Sequence, residues 1–190
     1  MSADTADTAL VVIDVQESFR HRPYWSAADV PGFLERLQAL IDGAVRRGIP
    51  VLQVFHVEAD GPFSRASGHV VTMAGLAIAP AAVFHKGSHS ALIGSGLDVW
   101  LVRHGIRRLI VSGIRTEQCC ETTTRHASDS GYQVDYVTEA TLTFAMTDRA
   151  GRVWPPAELK ARTELVLEDR FARITDVAGA LGERSVRLGA

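Results

Sequence analysis

Short, nearly continuous apolar runs alternate along the chain with longer stretches in which apolar residues recur every three or four positions. Runs of the first kind are typical of strands that are buried on both faces of a parallel sheet. Six segments have this character: 9–15 (ALVVIDV), 50–57 (PVLQVFHV), 82–86 (AVFHK), 108–114 (RLIVSGI), 133–140 (QVDYVTEA) and 172–178 (ARITDVA).

Helical patterns fill the gaps between these runs. Four segments are predicted as helices: 31–48, 96–105, 119–131 and 155–171. Apolar residues share one face in the first two, namely Leu34, Leu37, Leu40, Ile41 and Val45, and then Val99 and Val102. Glycines stand where the first three helices should end, at Gly48, Gly105 and Gly131, and prolines open the fourth. Alternating strands and helices predict an α/β fold with right-handed crossovers.

Composition narrows the class of protein. The 190 residues, 46% of them apolar, fit a single domain over 1–190. The net charge of −2 gives no reason to expect nucleic acid or an anionic membrane as a partner. No apolar run approaches the ~20 residues that span a bilayer, and the polar start, MSADTADT, does not resemble a secretory signal. Two adjacent cysteines form no disulfide framework, so we expect a cytoplasmic protein.

Reactive side chains stand at the ends of three predicted strands. Asp14 closes the first run, Lys86 closes the third, and Cys119 follows the turn after the fourth. Because ligands of open α/β sheets bind beyond the carboxyl ends of the strands, we expect these three side chains at one edge. Each also has an ordinary interpretation: a capping or ion-paired Asp14, a solvated Lys86, and an inert buried Cys119.

The two cysteines should differ in role. Cys119 falls at or next to a helix N-terminus, where the helix dipole and a nearby lysine should lower its pKa and favour the thiolate. Asp14 can then accept the thiol proton and pass it to a leaving group. Cys120 points about 100° away around the helix, and we interpret it as a small core residue.

Three segments in order carry a resemblance to a known family. They are ALVVIDVQESF, VFHKGSHSALIGSGLDVWL and VSGIRTEQCCETTTRHASDSGYQVDYVTEA. Together they resemble the isochorismatase-like cysteine hydrolases, which include nicotinamidases, N-carbamoylsarcosine amidohydrolases and isochorismatases. The resemblance extends over nearly the whole chain.

The resemblance implies a fold and a set of roles. It implies a three-layer αβα domain with a six-stranded, mainly parallel sheet and helices on both faces. It gives the catalytic roles to Asp14, Lys86 and Cys119, and it leaves Cys120 where the family usually has valine. It also implies a cis peptide between Ile114 and Arg115, with the backbone N–H groups of Arg115 and Cys119 forming an oxyanion hole. Family members commonly form homodimers or larger homo-oligomers.

Two departures from the family pattern bear on the substrate. The acidic residue before the nucleophile is Glu117, where aspartate is usual. The metal motif of nicotinamidases, Asp-x-His, is absent, although His56, Glu58, Asp60 and His69 follow the second strand. We therefore expect no metal and no cofactor, and we interpret His85 and His89 as structural or pocket-lining residues.

Loops after the strands should choose the small-molecule substrate. Aromatic and polar residues in 19–25 and 143–154 are the candidates: Phe19, His21, Tyr24, Trp25, Phe144 and Trp154. Tyr24 and Trp25 can wall a flat substrate, and Arg20, His21 or Arg22 can receive a carboxylate. The alternative is a surface loop packed by its own aromatic rings, or, for Phe144 and Trp154, a subunit contact.

Three functions follow from these residues. The favoured one is a cysteine hydrolase that cleaves a C–N bond of a small amide, ureido or imide-like substrate through an acyl-enzyme. The second is vinyl-ether hydrolysis of the isochorismatase type, which needs the aspartate but no thiol nucleophile. The third is a non-catalytic ligand-binding protein of the same fold.

Overall fold

A single parallel sheet organises the chain. The structure is a computed structural model that describes residues 7–182. Its strands are β1 (Thr8–Ile13), β2 (Val51–His56), β3 (Ala82–Lys86), β4 (Arg108–Ile114), β5 (Gln133–Leu142), β6 (Met146–Thr147), β7 (Val153–Trp154) and β8 (Arg173–Thr175). Six of them form the sheet in the order β3-β2-β1-β4-β5-β8, and every neighbouring pair is parallel. Strands β6 and β7 make a separate antiparallel hairpin.

Helices cover both faces of this sheet. They are α1 (Val30–Arg46), α2 (Leu97–Arg103), α3 (Glu121–Asp129), α4 (Pro156–Leu167) and α5 (Val177–Ala180). Leu10 and Val12 of β1 pack into one core with residues of α1, whereas Val11 and Ile13 pack into a second core with residues of α2, α3 and α4. Successive side chains of one strand thus enter opposite cores, which is why the strand sequence is apolar without alternation. The predicted three-layer fold is confirmed.

Element boundaries follow the predictions closely, and two segments show clear differences. Strands β3 and β4 coincide with 82–86 and 108–114. The run 172–178 is a strand only over Arg173–Thr175, because the side chain of Asp176 accepts a hydrogen bond from the Gly179 N–H (2.7 Å) and starts α5. The helix predicted over 119–131 begins as a π-helical turn, Thr116–Cys120, and continues as α3.

The predicted apolar faces of the first two helices are wrong at three valines. Val45, Val99 and Val102 are 58%, 47% and 73% exposed. Helix α2 buries Leu97 and Leu101 instead. A helix of seven residues presents one stripe to the sheet, and the two leucines, four residues apart, define it. Val99 and Val102 lie on the other side.

Some predictions concern residues outside the described range. The polar N-terminal segment and the last residues, 1–6 and 183–190, are not described, so the predicted absence of a secretory signal lies outside the structure. The single domain over 1–190 stays a prediction for the same reason. Within residues 7–182, no helix is both long and apolar enough to cross a bilayer.

Candidate active site

Three side chains from different strands meet at the carboxyl edge of the sheet. The Lys86 Nζ lies 2.8 Å from Asp14 Oδ2 and donates a hydrogen bond to Cys119 Sγ at 3.3 Å. Asp14 follows β1, Lys86 ends β3, and Cys119 follows β4, so the lysine reaches across β2 to the other two. All three residues are buried, with exposures of 0%, 2% and 7%.

Close approach of β1 and β4 brings Asp14 near the nucleophile turn. Gly113 pairs with Ile13 in register, and a Cβ on Gly113 would lie 2.0 Å from the Ile13 carbonyl oxygen. Gly113 also has a φ of 127°, which L side chains rarely adopt. Asp14 itself has a φ of 53°, uncommon for a residue with a side chain. Only glycine at 113 therefore allows the two strand ends to lie this close.

The turn before Cys119 is fixed by its own backbone. The peptide bond between Ile114 and Arg115 is cis, at the position that the resemblance implies. The Arg115 carbonyl accepts hydrogen bonds from the N–H groups of Gln118 and Cys120, each at 3.2 Å. These bonds start the π-helical turn and hold Cys119 at the beginning of α3.

Electrostatics in this cluster differ from the prediction for Cys119. Burial raises the pKa of the Cys119 thiol to about 12, the charge of Asp14 adds to the rise, and Lys86 only partly opposes it. The predicted lowering of this pKa is therefore wrong, because burial and the carboxylate outweigh the lysine. Burial also raises the pKa of Asp14. Burial alone would lower the pKa of Lys86, but Asp14 and Cys119 reverse this and raise it. The resting site thus combines a neutral thiol with a charged lysine.

Asp14 keeps an acceptor available for a proton. Its Oδ1 is buried and has no hydrogen-bond partner within residues 7–182. A buried carboxylate oxygen without a donor is unfavourable, and a nearby thiol proton would satisfy it. The geometry thus allows Asp14 to take the proton when Cys119 attacks, with no thiolate present beforehand.

His56 completes the environment of the lysine. Its Nδ1 lies 3.1 Å from Lys86 Nζ. Burial and the charge of Lys86 lower the pKa of His56, so at neutral pH the unprotonated Nδ1 accepts from the ammonium group. The Gln16 side chain fixes His56 by accepting from its N–H (2.9 Å) and donating to its carbonyl (3.1 Å). The sequence analysis considers His56 only as a candidate metal ligand and assigns no role to Gln16. The position of His56 at the end of β2, between the strands that carry Asp14 and Lys86, is the feature of the sequence that could have placed it in the site.

His89 is the second imidazole near the sulfur. Its Nδ1 lies 3.7 Å from Cys119 Sγ, and its side chain is exposed. The Ser88 carbonyl just before it accepts a hydrogen bond from Lys86 Nζ at 3.1 Å. One turn therefore orders both the lysine and His89.

A metal does not fit among these groups. Within the described residues, the one set whose potential ligand atoms converge is Asp14, His56 and Cys119, with all of those atoms within 4.8 Å of one another. Lys86 Nζ contacts each of the three, at 2.8, 3.1 and 3.3 Å. The ammonium group thus takes the place that a cation would need.

The other candidate ligands after β2 do not converge in this way. His56 Nε2 lies 3.7 Å from Glu58 Oε1, Asp60 is exposed, and the His69 ring stacks on His21 with centroids 3.7 Å apart.

An aromatic cluster lies next to the nucleophile turn. The ring centroids of Tyr24 and Trp25 lie 5.4 and 5.3 Å from that of Phe144, and Phe19 lies 6.1 Å from Phe144. The Arg115 guanidinium lies over the Tyr24 ring at 4.8 Å and joins this cluster to the turn that carries Cys119. Four of the six predicted pocket residues are thus gathered beside the site.

The other two predicted pocket residues contact residues outside this aromatic cluster. The exposed His21 ring stacks on His69. Trp154 belongs to the β6–β7 hairpin, where its indole N–H donates to Asp148 Oδ2 at 3.0 Å and its ring lies 3.9 Å from the Arg152 guanidinium. Their described contacts link neither residue to Cys119.

Basic side chains around the site are already paired with carboxylates. Arg20 pairs with Glu17 at 2.9 Å, and Arg22 contacts both Glu58 oxygens at 3.0 and 2.9 Å. Arg115 pairs with Glu117 at 3.0 Å, and both side chains are buried. The expectation that Arg20 or Arg22 receives a substrate carboxylate is therefore not supported, because each guanidinium already has its own counter-charge.

The parallel three-layer fold and the carboxylate, lysine and thiol at its carboxyl edge define an α/β protein with a cysteine-centred site. Residues 8–154 match the isochorismatase domain, so the chain belongs to the isochorismatase family of hydrolases. The match covers β1 to β7 and includes Asp14, Lys86 and Cys119.

Relatives and solved structures agree with this assignment. Nicotinamidase 3 of Arabidopsis thaliana is 30% identical over 154 residues, which cover 72% of this chain and 73% of the relative. The isochorismatase family protein YrdC of Bacillus subtilis (strain 168) is 24% identical over 170 residues, covering 87% and 90%. A crystal structure assigned to the same family, from Chromobacterium violaceum ATCC 12472, is 25% identical and superposes with a TM-score of 0.85 over 95% of this chain and 94% of that one.

Proposed function

We propose that the protein is a cysteine hydrolase that cleaves a C–N bond of a small, uncharged amide, ureido or imide-like substrate through an acyl-enzyme on Cys119. The observation that carries the proposal is the buried Lys86 ammonium between Asp14 Oδ2 and Cys119 Sγ, at 2.8 and 3.3 Å. A ligand-binding protein has no need for a thiol that contacts a fixed cation beside a proton acceptor.

The first half-reaction uses each of these groups once. Cys119 Sγ attacks the substrate carbonyl carbon while Asp14 takes the thiol proton. The oxyanion receives hydrogen bonds from the backbone N–H groups of Arg115 and Cys119, and the fixed charge of Lys86 stabilises it. The intermediate collapses when Asp14 gives its proton to the nitrogen, the amine leaves, and a thioester remains on Cys119.

The preference for an uncharged substrate rests on the paired arginines. Arg22 and Arg115 are held by Glu58 and Glu117. A substrate carboxylate would have to displace one of these carboxylates or lie unpaired beside it, and either is unfavourable. The aromatic rings of Tyr24, Trp25 and Phe144 instead suit a flat, neutral group.

Vinyl-ether hydrolysis of the isochorismatase type is less well supported. That reaction has no use for the thiol that Lys86 contacts, and an anionic isochorismate would meet the same paired arginines. A homodimer or larger homo-oligomer and a cytoplasmic location also stay proposals.

Ammonia release from matched amides tests the function. Nicotinamide and benzamide are compared with N-carbamoylglycine, which carries a carboxylate, in the wild type and in Cys119→Ala. We expect release from at least one neutral amide, little from the carboxylate, and none from Cys119→Ala. Turnover that survives Cys119→Ala would contradict the proposal. Hydrolysis of added isochorismate by a protein that cleaves none of the amides would contradict it as well.

A further inference from the structure

The two imidazoles near Cys119 have different surroundings. The His56 Nδ1 faces the Lys86 ammonium at 3.1 Å and its ring packs edge-on against Phe63, with centroids 5.8 Å apart. The His89 ring lies nearly parallel to that of His56, at 9° and 6.3 Å, but on an exposed side chain. His56 is therefore occupied by the lysine, whereas His89 Nδ1 faces the sulfur at 3.7 Å.

The turn after β3 is built to keep His89 in this place. Lys86 Nζ donates to the Ser88 carbonyl at 3.1 Å, and the Ser88 hydroxyl donates to the Ser90 carbonyl at 3.1 Å. These bonds lie on both sides of His89 along the chain. The side chain is exposed while its Nδ1 stays close to the reacting atom.

Asp14 differs from His89 in its access to solvent. It is 0% exposed and lies with Lys86 and Cys119 in the interior of the site. The water that attacks the thioester must arrive from solvent, and the exposed His89 is the imidazole that lies between solvent and Cys119 Sγ. Of Asp14 and His89, His89 is thus the proton acceptor that solvent reaches.

We propose that His89 is the general base of deacylation, a role that rests on the proposed acyl-enzyme at Cys119. In this step the water oxygen bonds to the acyl carbon and His89 Nδ1 takes one water proton. The C–S bond of the tetrahedral intermediate then breaks, and His89 returns the proton to Sγ, which it already contacts. The acid product and the neutral thiol leave all atoms and protons balanced. His89 must carry its own proton on Nε2 at the start of the step.

The test separates acylation from deacylation with p-nitrophenyl acetate as the probe. The initial burst of p-nitrophenolate measures acetylation of Cys119, and the following steady rate measures removal of the acetyl group. His89→Asn is compared with His85→Asn, a matched control whose ring packs against Phe55 at 5.8 Å. Intact-mass spectra follow the acetylated protein.

We expect His89→Asn to keep the burst rate within about threefold and to lower the steady rate about 10²-fold, the usual size of a general-base contribution. The acetylated form should accumulate, and hydroxylamine, a strong nucleophile that needs little base assistance, should clear it. His85→Asn should behave as the wild type. His89→Gln, with a longer side chain, repeats the test if the asparagine variant does not fold.

Three other outcomes would contradict either the proposed acyl-enzyme or the role of His89. If the wild type forms no acetyl group on Cys119, the proposed acyl-enzyme fails, and the role of His89 fails with it. If acetylation is normal and His89→Asn clears the group at the wild-type rate, the proposed function stands and the role of His89 is wrong. Equal slowing of burst and steady rate would make His89 a positioning residue for the sulfur, which also overturns the proposal.

Discussion

Two buried aspartates lie near opposite ends of the same sheet, and they differ in how fully their oxygens are satisfied. Asp135, near the amino end of β5, receives the Arg173 guanidinium on both oxygens at 2.7 and 3.0 Å, and Arg108 contacts it as well. Asp14, beyond the carboxyl end of β1, has one ion-pair contact with Lys86 and a buried Oδ1 without a donor in the described chain. Both residues are almost fully buried, at 3% and 0% exposure.

The difference separates a structural carboxylate from a reactive one. Both oxygens of Asp135 are paired with arginines, so this carboxylate ties β4, β5 and β8 together. Asp14 Oδ1 has no structural donor in the described chain, an unfavourable arrangement unless the Cys119 thiol donates to it. Such unfavourable burial is expected where a group must change partners during a reaction. The state of the oxygens, more than burial, thus distinguishes the two ends of the sheet.

Between the two aspartates, the larger effect on kcat should come from Asp14→Asn. The amide cannot take the Cys119 proton, so kcat should fall by about 10³-fold or more. The matched variant Asp135→Asn should keep kcat per folded molecule within about threefold, because it lies away from the reacting atoms. Steady-state kinetics on the best amide, with active protein counted by size exclusion and circular dichroism, compares the two. Equal losses of kcat in both variants would remove the distinction between the aspartates.

The loss of unfolding free energy should be larger in Asp135→Asn than in Asp14→Asn. Asp135→Asn removes the carboxylate that Arg108 and Arg173 share. The buried amide that replaces it has one acceptor oxygen where the carboxylate has two. The arginine side chains are 22% and 55% exposed and can turn to water, so the loss should be about 2 kcal/mol rather than the larger cost of a sealed ion pair. Urea unfolding at pH 7 measures it. A loss below about 0.5 kcal/mol would show that this cluster contributes no more than a surface pair.

The sequence predicts the features that depend on neighbouring residues, and it does not predict contacts between residues far apart in the chain. The strands and the positions of Asp14, Lys86 and Cys119 follow from local hydrophobic patterns and from the rule that parallel strands share a carboxyl edge. The pairing of Arg22 with Glu58 joins residues 36 positions apart, and nothing local in either segment indicates it.

The thiol shows the same limit. Its helix position is visible in the sequence and favours a low pKa, but its burial beside Asp14 is a property of the assembled fold and raises the pKa. The exposed valines of α2 were misassigned for a related reason, since seven residues carry too few turns for periodicity to choose a face.

Alkylation of Cys119 sharpens the comparison, because Asp14 should oppose thiolate formation in the free enzyme. With a pKa of about 12, few wild-type molecules carry the thiolate at pH 8, and iodoacetamide labelling should be slow until strongly alkaline pH. Asp14→Asn removes a charge that raises this pKa, so its labelling profile should shift to lower pH by about one unit, or ~1.4 kcal/mol. The same variant therefore labels faster and turns over more slowly. Asp135→Asn should leave the profile unchanged.

Mass spectrometry with peptide mapping across pH gives both profiles. Fast wild-type labelling at neutral pH, or slower labelling in Asp14→Asn, would mean that the carboxylate activates the thiol before substrate binds.

The smallest effect concerns the second cysteine. Cys120 is 0% exposed and packs in the core between the sheet and α2, α3 and α4. Cys120→Ala should cost about 1 kcal/mol of unfolding free energy for the lost sulfur contacts and leave kcat within about twofold. Cys119→Ala should instead abolish turnover, because it removes the sulfur that attacks the substrate. Urea unfolding and kinetics on the two variants give a direct pair of measurements. If folded Cys120→Ala loses activity as fully as Cys119→Ala, the nucleophile has been assigned to the wrong sulfur.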